Sequence, residues 1–264
     1  MLKEINIGDT SVNLFDKLIH GSYPVSSITG VTYHLTEHGL PSRNMPLQHD
    51  IQHRFGAHES PLNIPLLIKK LGLERGEVFA IGSLVEISQK RSPMSFIMMD
   101  FDCQKEEKVK KEIMSILKLH CRNSSLSLVA SDFSYHLVFD DFVHPANLVW
   151  HLGKLMEIFS VAELDNKRAS AREYALALQK HYRSIEAVRK ISNEALNSFG
   201  HEDEFTDKWW VSHSVLELTN YLMRNREVGQ DYPYSFAFIR LTPKKDIEPT
   251  VVGRQMVGGI LKRG

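Results

Sequence analysis

Two short segments of the chain each place two polar, chemically reactive side chains two residues apart in an otherwise apolar run. Asp100 and Asp102 lie at the end of the first run, and Ser134 and His136 lie in the second. Alternate side chains of a β-strand point to the same face, so each pair shares a face, with its side-chain carbons about 7 Å apart. Two carboxylates on a largely buried strand require a counter-charge, because burial disfavours the charged form. A divalent cation would supply it, so Asp100 and Asp102 are candidate metal ligands.

The apolar periodicity of the neighbouring segments predicts the elements that position these residues. Residues 95–99 have the composition of a buried strand and residues 104–111 that of a helix start, so the carboxylates fall at the carboxyl end of a strand. Functional sites of α/β folds concentrate there. In chain order we predict a helix over 61–73, strands over 78–87 and 96–102, a helix over 105–120, strands over 125–130 and 135–139, and a helix over 145–161.

The rest of the chain is less regular. We predict a helical region over 166–198, a helix over 209–226 and a last strand over 235–242, whereas residues 1–60 are mixed and rich in turn residues. Strands that alternate with helices, with a hairpin among them, indicate an α+β or α/β sheet with helices on at least one face. A chain of 264 residues is long enough for one domain with a substantial core.

Composition excludes several classes of protein. Hydrophobic residues make up 42% of the chain and charged residues 24%, which is typical of a soluble globular protein. No apolar run reaches the length of about 20 residues that a membrane span requires, and the first residues lack the pattern of a secretory signal, so we expect a cytoplasmic location. Cys103 and Cys121 are too few for a disulfide framework and lack the spacing of a structural zinc site.

Formal net charge is zero, yet the basic residues are unevenly distributed. Residues 167–190 contain seven basic and two acidic residues in an alanine-rich, helix-favouring sequence. One interpretation is a surface that faces phosphates, for which the candidate nucleic-acid contacts are Arg168, Arg172, Lys180 and Arg183. The other is a solvated amphipathic helix that packs its apolar side chains inward.

Taken together, these motifs resemble those of the archaeo-eukaryotic primase superfamily, the primase-polymerase catalytic domains. The matching positions are Asp100-Phe-Asp102, Ser134-Tyr-His136, Asp207, and the segment from Arg240 to Pro243. Residues 207–213 also resemble a motif of the bacterial primase 1D-like branch. The resemblance covers roughly residues 80–245.

The resemblance implies a fold, an activity and a set of ligands. The fold would be α+β, with an RRM-like antiparallel or mixed sheet of the archaeo-eukaryotic primase type and flanking helices. The single domain, residues 1–264, would comprise an N-terminal αβ extension over 1–75 and a catalytic core over 76–245. Asp100, Asp102 and Asp207 would bind two Mg²⁺ or Mn²⁺ ions, and Ser134, His136 and Arg240 would bind the incoming nucleotide.

The activity implied is metal-dependent addition of nucleotides to a DNA or RNA strand. Its substrates would be NTPs or dNTPs and a single-stranded DNA or RNA template. The chain has no P-loop sequence, so an unwinding helicase, or another replication or defence protein, would be a separate partner, and no membrane partner is expected. Two alternatives stay open: a metal-dependent phosphodiesterase or nuclease that uses the same carboxylates, and an inactive family member that only binds nucleic acid.

Overall fold

A computed structural model of the chain describes residues 4–21, 25–34, 51–56, 62–74, 77–88, 92–101, 103, 105–131, 134–160, 165–198, 208–227, 238–243 and 247–257. The helices are α1 (Ser11–Ile19), α2 (Ile64–Leu71), α3 (Glu107–His120), α4 (Pro145–Phe159), α5 (Asp165–His181), α6 (Ile185–Ser198) and α7 (Lys208–Glu227). The strands are β1 (Val25–His34), β2 (Ile51–Gly56), β3 (Glu77–Ile87), β4 (Met94–Phe101), β5 (Leu126–Ala130), β6 (Tyr135–Val143), β7 (Phe238–Arg240) and β8 (Thr250–Gln255).

One sheet organises the described residues. Its strand order is β2-β1-β3-β4-β6-β5-β8, and the short strand β7 pairs with β3 beside this path. Every described pairing is antiparallel. The chain therefore has an α+β fold built on an antiparallel sheet with several helices. No helix within the described segments is both long and apolar enough to cross a membrane.

Helices cover both faces of the sheet, which gives two apolar cores. The α3–α7 core takes Ile97, Met99 and Phe101 from β4, and the α1–α2 core takes Phe96 and Met98 from the same strand. Neighbouring residues of β4 therefore pack on opposite faces, as strand geometry requires. This double burial explains why β4 is a continuous apolar run with no polar alternation before Asp100.

The predicted βαββα order is confirmed by β4, α3, β5, β6 and α4, with ends shifted by a few residues. The helical region predicted over 166–198 is confirmed, and the structure divides it into two helices, α5 and α6. Ser184 begins the second of them: its hydroxyl oxygen accepts a hydrogen bond from the Ala187 N–H at 3.3 Å. Serine at this position satisfies a backbone donor that has no partner within the helix.

Residues 1–60 contain more regular structure than their turn-rich composition indicates. The helix α1 begins after Thr10, whose hydroxyl accepts from the Asn13 N–H, and its Leu14 and Phe15 are fully buried in the α1–α2 core. Strand β1 lies between β2 and β3, so the N-terminal segment extends the same sheet. At the other end of the chain β8, which the sequence did not predict, pairs with β5.

The contact between α4 and α5 leads to a first testable prediction. A Cβ atom at Gly153 would lie 2.5 Å from Ala175 Cβ and 3.1 Å from Ala175 Cα, so these helices touch nearly backbone to backbone. Overpacking costs about 1–3 kcal/mol, more than the gain in helix propensity of about 1 kcal/mol from replacing glycine. We therefore expect Gly153→Ala to lower the free energy of unfolding measured in urea.

A second-site change controls for this effect. Ala175→Gly in the Gly153→Ala background returns the missing space and should recover part of the lost stability, although Ala175→Gly alone is destabilising. A Gly153→Ala protein as stable as the wild type would show that the two helices separate at no cost.

Candidate active site

Asp100 and His136 lie side by side on neighbouring strands. They are direct cross-strand partners in the antiparallel pair β4–β6, and Asp100 Oδ1 lies 2.8 Å from His136 Nδ1. The exposed fractions of the Asp100 and His136 side chains are 23% and 12%, so both are largely buried and each keeps a part in solvent. The two motifs, 36 positions apart in sequence from Asp100 to His136, thus meet at one point of the sheet.

Strand alternation fixes the direction of both side chains. Met99 and Phe101 flank Asp100 and pack into the α3–α7 core, as do Tyr135 and Leu137 on either side of His136. Asp100 and His136 therefore point to the opposite face, the side of α1 and α2. Rotating either residue to the other face would require a one-residue slip of a strand with buried side chains on both faces.

The contact between the two side chains leaves polar atoms to be satisfied. Asp100 Oδ1 and His136 Nδ1 are inaccessible to solvent, and within the described parts of the chain neither makes a hydrogen bond of acceptable angle. Their 2.8 Å separation is thus a close nitrogen–oxygen contact that lacks hydrogen-bond geometry. Buried polar atoms left in this way require a further partner. A carboxylate oxygen suits a hard cation such as Mg²⁺ or Mn²⁺, and imidazole accepts several transition metals.

The turn between β5 and β6 contains Ser134. The Ser134 N–H donates to Ser131 Oγ at 3.3 Å, and the two serine hydroxyl oxygens also lie 3.3 Å apart. Lys105 Nζ donates to the Ser131 carbonyl oxygen at 3.1 Å, which brings a cation to the turn. Sequence reasoning did not identify Lys105, although its position three residues after Asp102 was an available signal.

Tyr135 anchors the chain that follows β4. Its hydroxyl donates to the Glu106 carbonyl oxygen at 3.0 Å, immediately before α3 begins. Burial raises the pKa of the Tyr135 phenol, so it stays protonated and able to donate at neutral pH. The hydrogen bonds of Tyr135 and Lys105 hold residues 105–106 against the β5–β6 hairpin, next to the end of β4.

Strands β4 and β7 pair with the same edge of β3, at successive positions along it. Leu84 and Val85 of β3 pair with Ser95 and Met94, and continuing that register would place Met99 opposite Ala80. Arg240 occupies this position instead. Within the described residues the β3–β4 pairing therefore stops after Ser95, and β7 pairs with β3 beyond it; we call this interruption of the β3–β4 pairing the gap.

The buried Arg240 side chain does not share a face with Asp100. Ile239 and Leu241 belong to the α1–α2 core, so alternation directs Arg240 towards the α3–α7 side. The structure thus brings the strand of Arg240 to the end of β4, but it places the two side chains on opposite faces of the sheet.

Helix α7 also lies at this gap. It packs against β4, and Trp210 contacts both the α3–α7 core and the α1–α2 core. A side chain can touch the cores on both faces of a sheet only at an edge or an interruption, so Trp210 marks the gap. Helix α7 begins at Lys208, immediately after Asp207 in sequence.

Other predicted site residues are placed only in part. Asp102 and Asp207 lie outside the described residues, as does the side chain of Arg168. Arg172, Lys180 and Arg183 are exposed, on or just after α5. Among the described residues no group of three or more His, Cys, Asp or Glu side chains is arranged to hold a metal.

Comparisons with protein-family models, with curated proteins and with solved structures find no match to this chain. What the chain does must therefore be inferred from the contacts among its own residues.

Proposed function

We propose that the chain is a primase-polymerase-like nucleotidyltransferase that adds nucleotides to a DNA or RNA strand on a single-stranded template. The observation that supports the proposal most directly is the contact of Asp100 with His136, which joins an Asp-x-Asp motif to a Ser-x-His motif on one face of an antiparallel sheet. In the superfamily that these motifs resemble, such residues bind the metal ions and the nucleotide. The described α+β sheet is compatible with the RRM-like core of that superfamily.

In this proposal the carboxylates of Asp100, Asp102 and Asp207 hold two Mg²⁺ or Mn²⁺ ions. The chemistry that bound ions supply is neutralisation of phosphate charge and activation of the attacking 3′-hydroxyl. Asp100 Oδ1 is the described atom that fits a cation, because within the described residues this buried carboxylate oxygen contacts His136 Nδ1 without a well-formed hydrogen bond. Asp102 and Asp207 are assigned from the motif.

His136 and Ser134 would hold the triphosphate of the incoming nucleotide. His136 Nδ1 faces Asp100, which leaves Nε2 as the nitrogen for a phosphate oxygen. Ser134 and Lys105 meet at Ser131, so a hydroxyl and an ammonium group are available at the same turn. Arg240 lies at the gap with its side chain on the face opposite to Asp100, so its contact with a phosphate would require a triphosphate that reaches through the gap.

A primer-extension assay tests this function. The protein is incubated with an end-labelled primer on a longer template, with Mn²⁺ or Mg²⁺ and either dNTPs or NTPs, and the products are separated by length. We expect products longer than the primer that appear only when both metal and nucleotide are present. Metal-dependent shortening of the primer would instead identify a nuclease, and an unchanged primer that is still bound would identify a protein that only binds nucleic acid.

A further inference from the structure

The outer surface of the α4–α5 hairpin carries features that the proposed site does not use. Five residues, 160–164, connect the two helices, and so short a connection requires antiparallel packing. Gly153 and Ala175 meet at the centre of this contact. The inward faces of both helices pack into the α3–α7 core, so the hairpin covers the side of the sheet opposite to Asp100 and His136.

The outward face combines an exposed tryptophan with several cations. Trp150 is 53% exposed and Leu176 is 55% exposed, which are large fractions for apolar side chains. Trp150 lies about one helical turn before Gly153 on α4. Because α4 and α5 are antiparallel and Gly153 contacts Ala175, Trp150 lies beside the residues of α5 that follow Ala175. We name as the hairpin surface six exposed residues of α4, of α5 and of the turn just after it: Trp150, Lys154, Arg172, Leu176, Lys180 and Arg183.

Local contacts hold the tryptophan in place. The Trp150 and His151 rings make a perpendicular contact with centroids 5.3 Å apart, which orients the indole while more than half of its surface stays in solvent. Burial lowers the pKa of His151, so its imidazole is neutral at pH 7 and adds no charge beside the indole. Arg183 is held in a similar way, since it packs over the Tyr182 ring at 5.3 Å and donates from Nε to the Tyr182 hydroxyl.

Charge and area indicate what this surface binds. Lys154 is paired with Glu157 at 3.1 Å, and the exposed carboxylates close in sequence to the other three cations, Arg172, Lys180 and Arg183, are those of Glu173 and Glu186. Two exposed apolar side chains fall short of the patch of several hundred Å² that is typical of protein docking sites. An isolated aromatic ring among cations is the arrangement that binds a single strand, with a base stacked on the ring and phosphates on the cations.

We propose that the hairpin surface is a second binding site for single-stranded nucleic acid, in which a base stacks on Trp150 while Arg172, Lys180 and Arg183 bind phosphates. That this strand is the template rests on the proposed function, whereas the binding itself does not. The site lies on the far side of the sheet from Asp100, so it would anchor a strand away from the reacting groups.

Binding is tested with a fluorescently labelled single-stranded oligonucleotide of about 20 nucleotides, longer than the site of about 4–16 nucleotides typical of one such domain. Anisotropy is measured in EDTA, so that no metal at Asp100 contributes. We expect Trp150→Ala to weaken binding about tenfold or more and Trp150→Phe to retain much of the affinity, because a stacked base contributes roughly this much. Each of Arg172→Ala, Lys180→Ala and Arg183→Ala should reduce the slope of log affinity against log salt by about 0.7.

Two substitutions on α3 are matched controls. Leu119→Ala removes a similarly exposed apolar side chain, and Lys118→Ala removes an exposed cation, and neither should change the affinity. Urea unfolding confirms that each variant is folded. Equal affinities of wild type, Trp150→Ala and Trp150→Phe for the oligonucleotide would overturn the inference. That result would also be obtained if the hairpin surface bound only a protein partner.

The two proposals fail in different ways. Primer extension by a protein in which Trp150→Ala has no effect on binding would leave the proposed function standing and remove the hairpin surface as a binding site. Binding that depends on Trp150 in a protein that never extends a primer would support the hairpin surface and remove the proposed function.

Discussion

Asp100→Asn should reduce nucleotide addition to a primer by about 10³-fold under conditions in which the wild type is active. A metal ion contributes several kcal/mol of charge stabilisation to phosphoryl transfer, and each 1.36 kcal/mol corresponds to about a tenfold change in rate. Asparagine keeps the shape of the side chain but removes the charge that holds the cation. The measurement is the initial rate of primer extension with Mn²⁺ and nucleotide at saturating concentrations.

A metal-dependent stability measurement tests the same residue without an activity readout. Mn²⁺ at 100 times its dissociation constant should stabilise the wild type by about 2.7 kcal/mol. The pair of substitutions Asp100→Ala and Asp102→Ala should abolish this gain. In metal-free buffer Asp100→Asn should change the free energy of unfolding by less than about 1 kcal/mol, because asparagine keeps the size of the side chain and an oxygen that can contact His136 Nδ1.

Asp141→Asn is the matched control, because Asp141 is an exposed carboxylate on the same strand as His136, five residues along it, and its loss should affect neither rate nor metal response. Full activity in Asp100→Asn would remove Asp100 from the catalytic site. A loss of several kcal/mol in metal-free buffer would identify it as a structural residue instead.

The elements that were predicted best from the sequence are those whose apolar pattern is visible within the element itself. Strand β4 is recognisable because both of its faces are buried, which makes it a continuous apolar run, and α3 because Ile113 and Leu117 recur at helical spacing. Strand β1 has Ser, Thr and Gly among its β-branched residues, so its composition resembles a turn region. Its pairing with β3, some 50 residues away, stabilises it, and no local pattern reveals such a partner.

The candidate site was likewise predictable where it depends on local spacing and not where it depends on the pairing of distant strands. The i, i+2 spacing of Ser134 and His136 predicts a shared face, but only the register of β4 against β6 brings Asp100 opposite His136. Arg240 shows the limit of motif reasoning, since its motif gives no information on which face of β7 carries the side chain. The hairpin surface was predicted in part through its basic residues, whereas the exposure of Trp150 depends on how α4 packs on the sheet.

Arg254→Met should lower the free energy of unfolding by about 3 kcal/mol, the largest effect that we expect of a single ion pair among the described residues. Arg254 of β8 and Asp140 of β6 reach across β5, with Nη1 2.6 Å from Oδ1 and a second hydrogen bond from Nη2 to Oδ2. Nη1 also donates to Ser127 Oγ at 3.0 Å. The side chains are 9% and 20% exposed, and removing one partner of a largely buried pair leaves an uncompensated charge, which costs about 3–5 kcal/mol.

The expected cause can be separated from a general loss of packing. Arg254→Lys keeps the charge but loses the two-pronged geometry and should be intermediate in stability. In a double-mutant cycle with Asp140→Asn, the second substitution should cost much less in the Arg254→Met background than alone. The exposed pair Lys154–Glu157 is the control, for which Lys154→Met should cost less than about 1 kcal/mol. Urea unfolding measures the stability of each of these variants.

Because Asp140 and His136 lie on the same face of β6, an ion pair that stabilises this strand also holds His136 in register with Asp100. Equal costs for Arg254→Met and Lys154→Met would show that β8 is held by its backbone hydrogen bonds and apolar contacts alone.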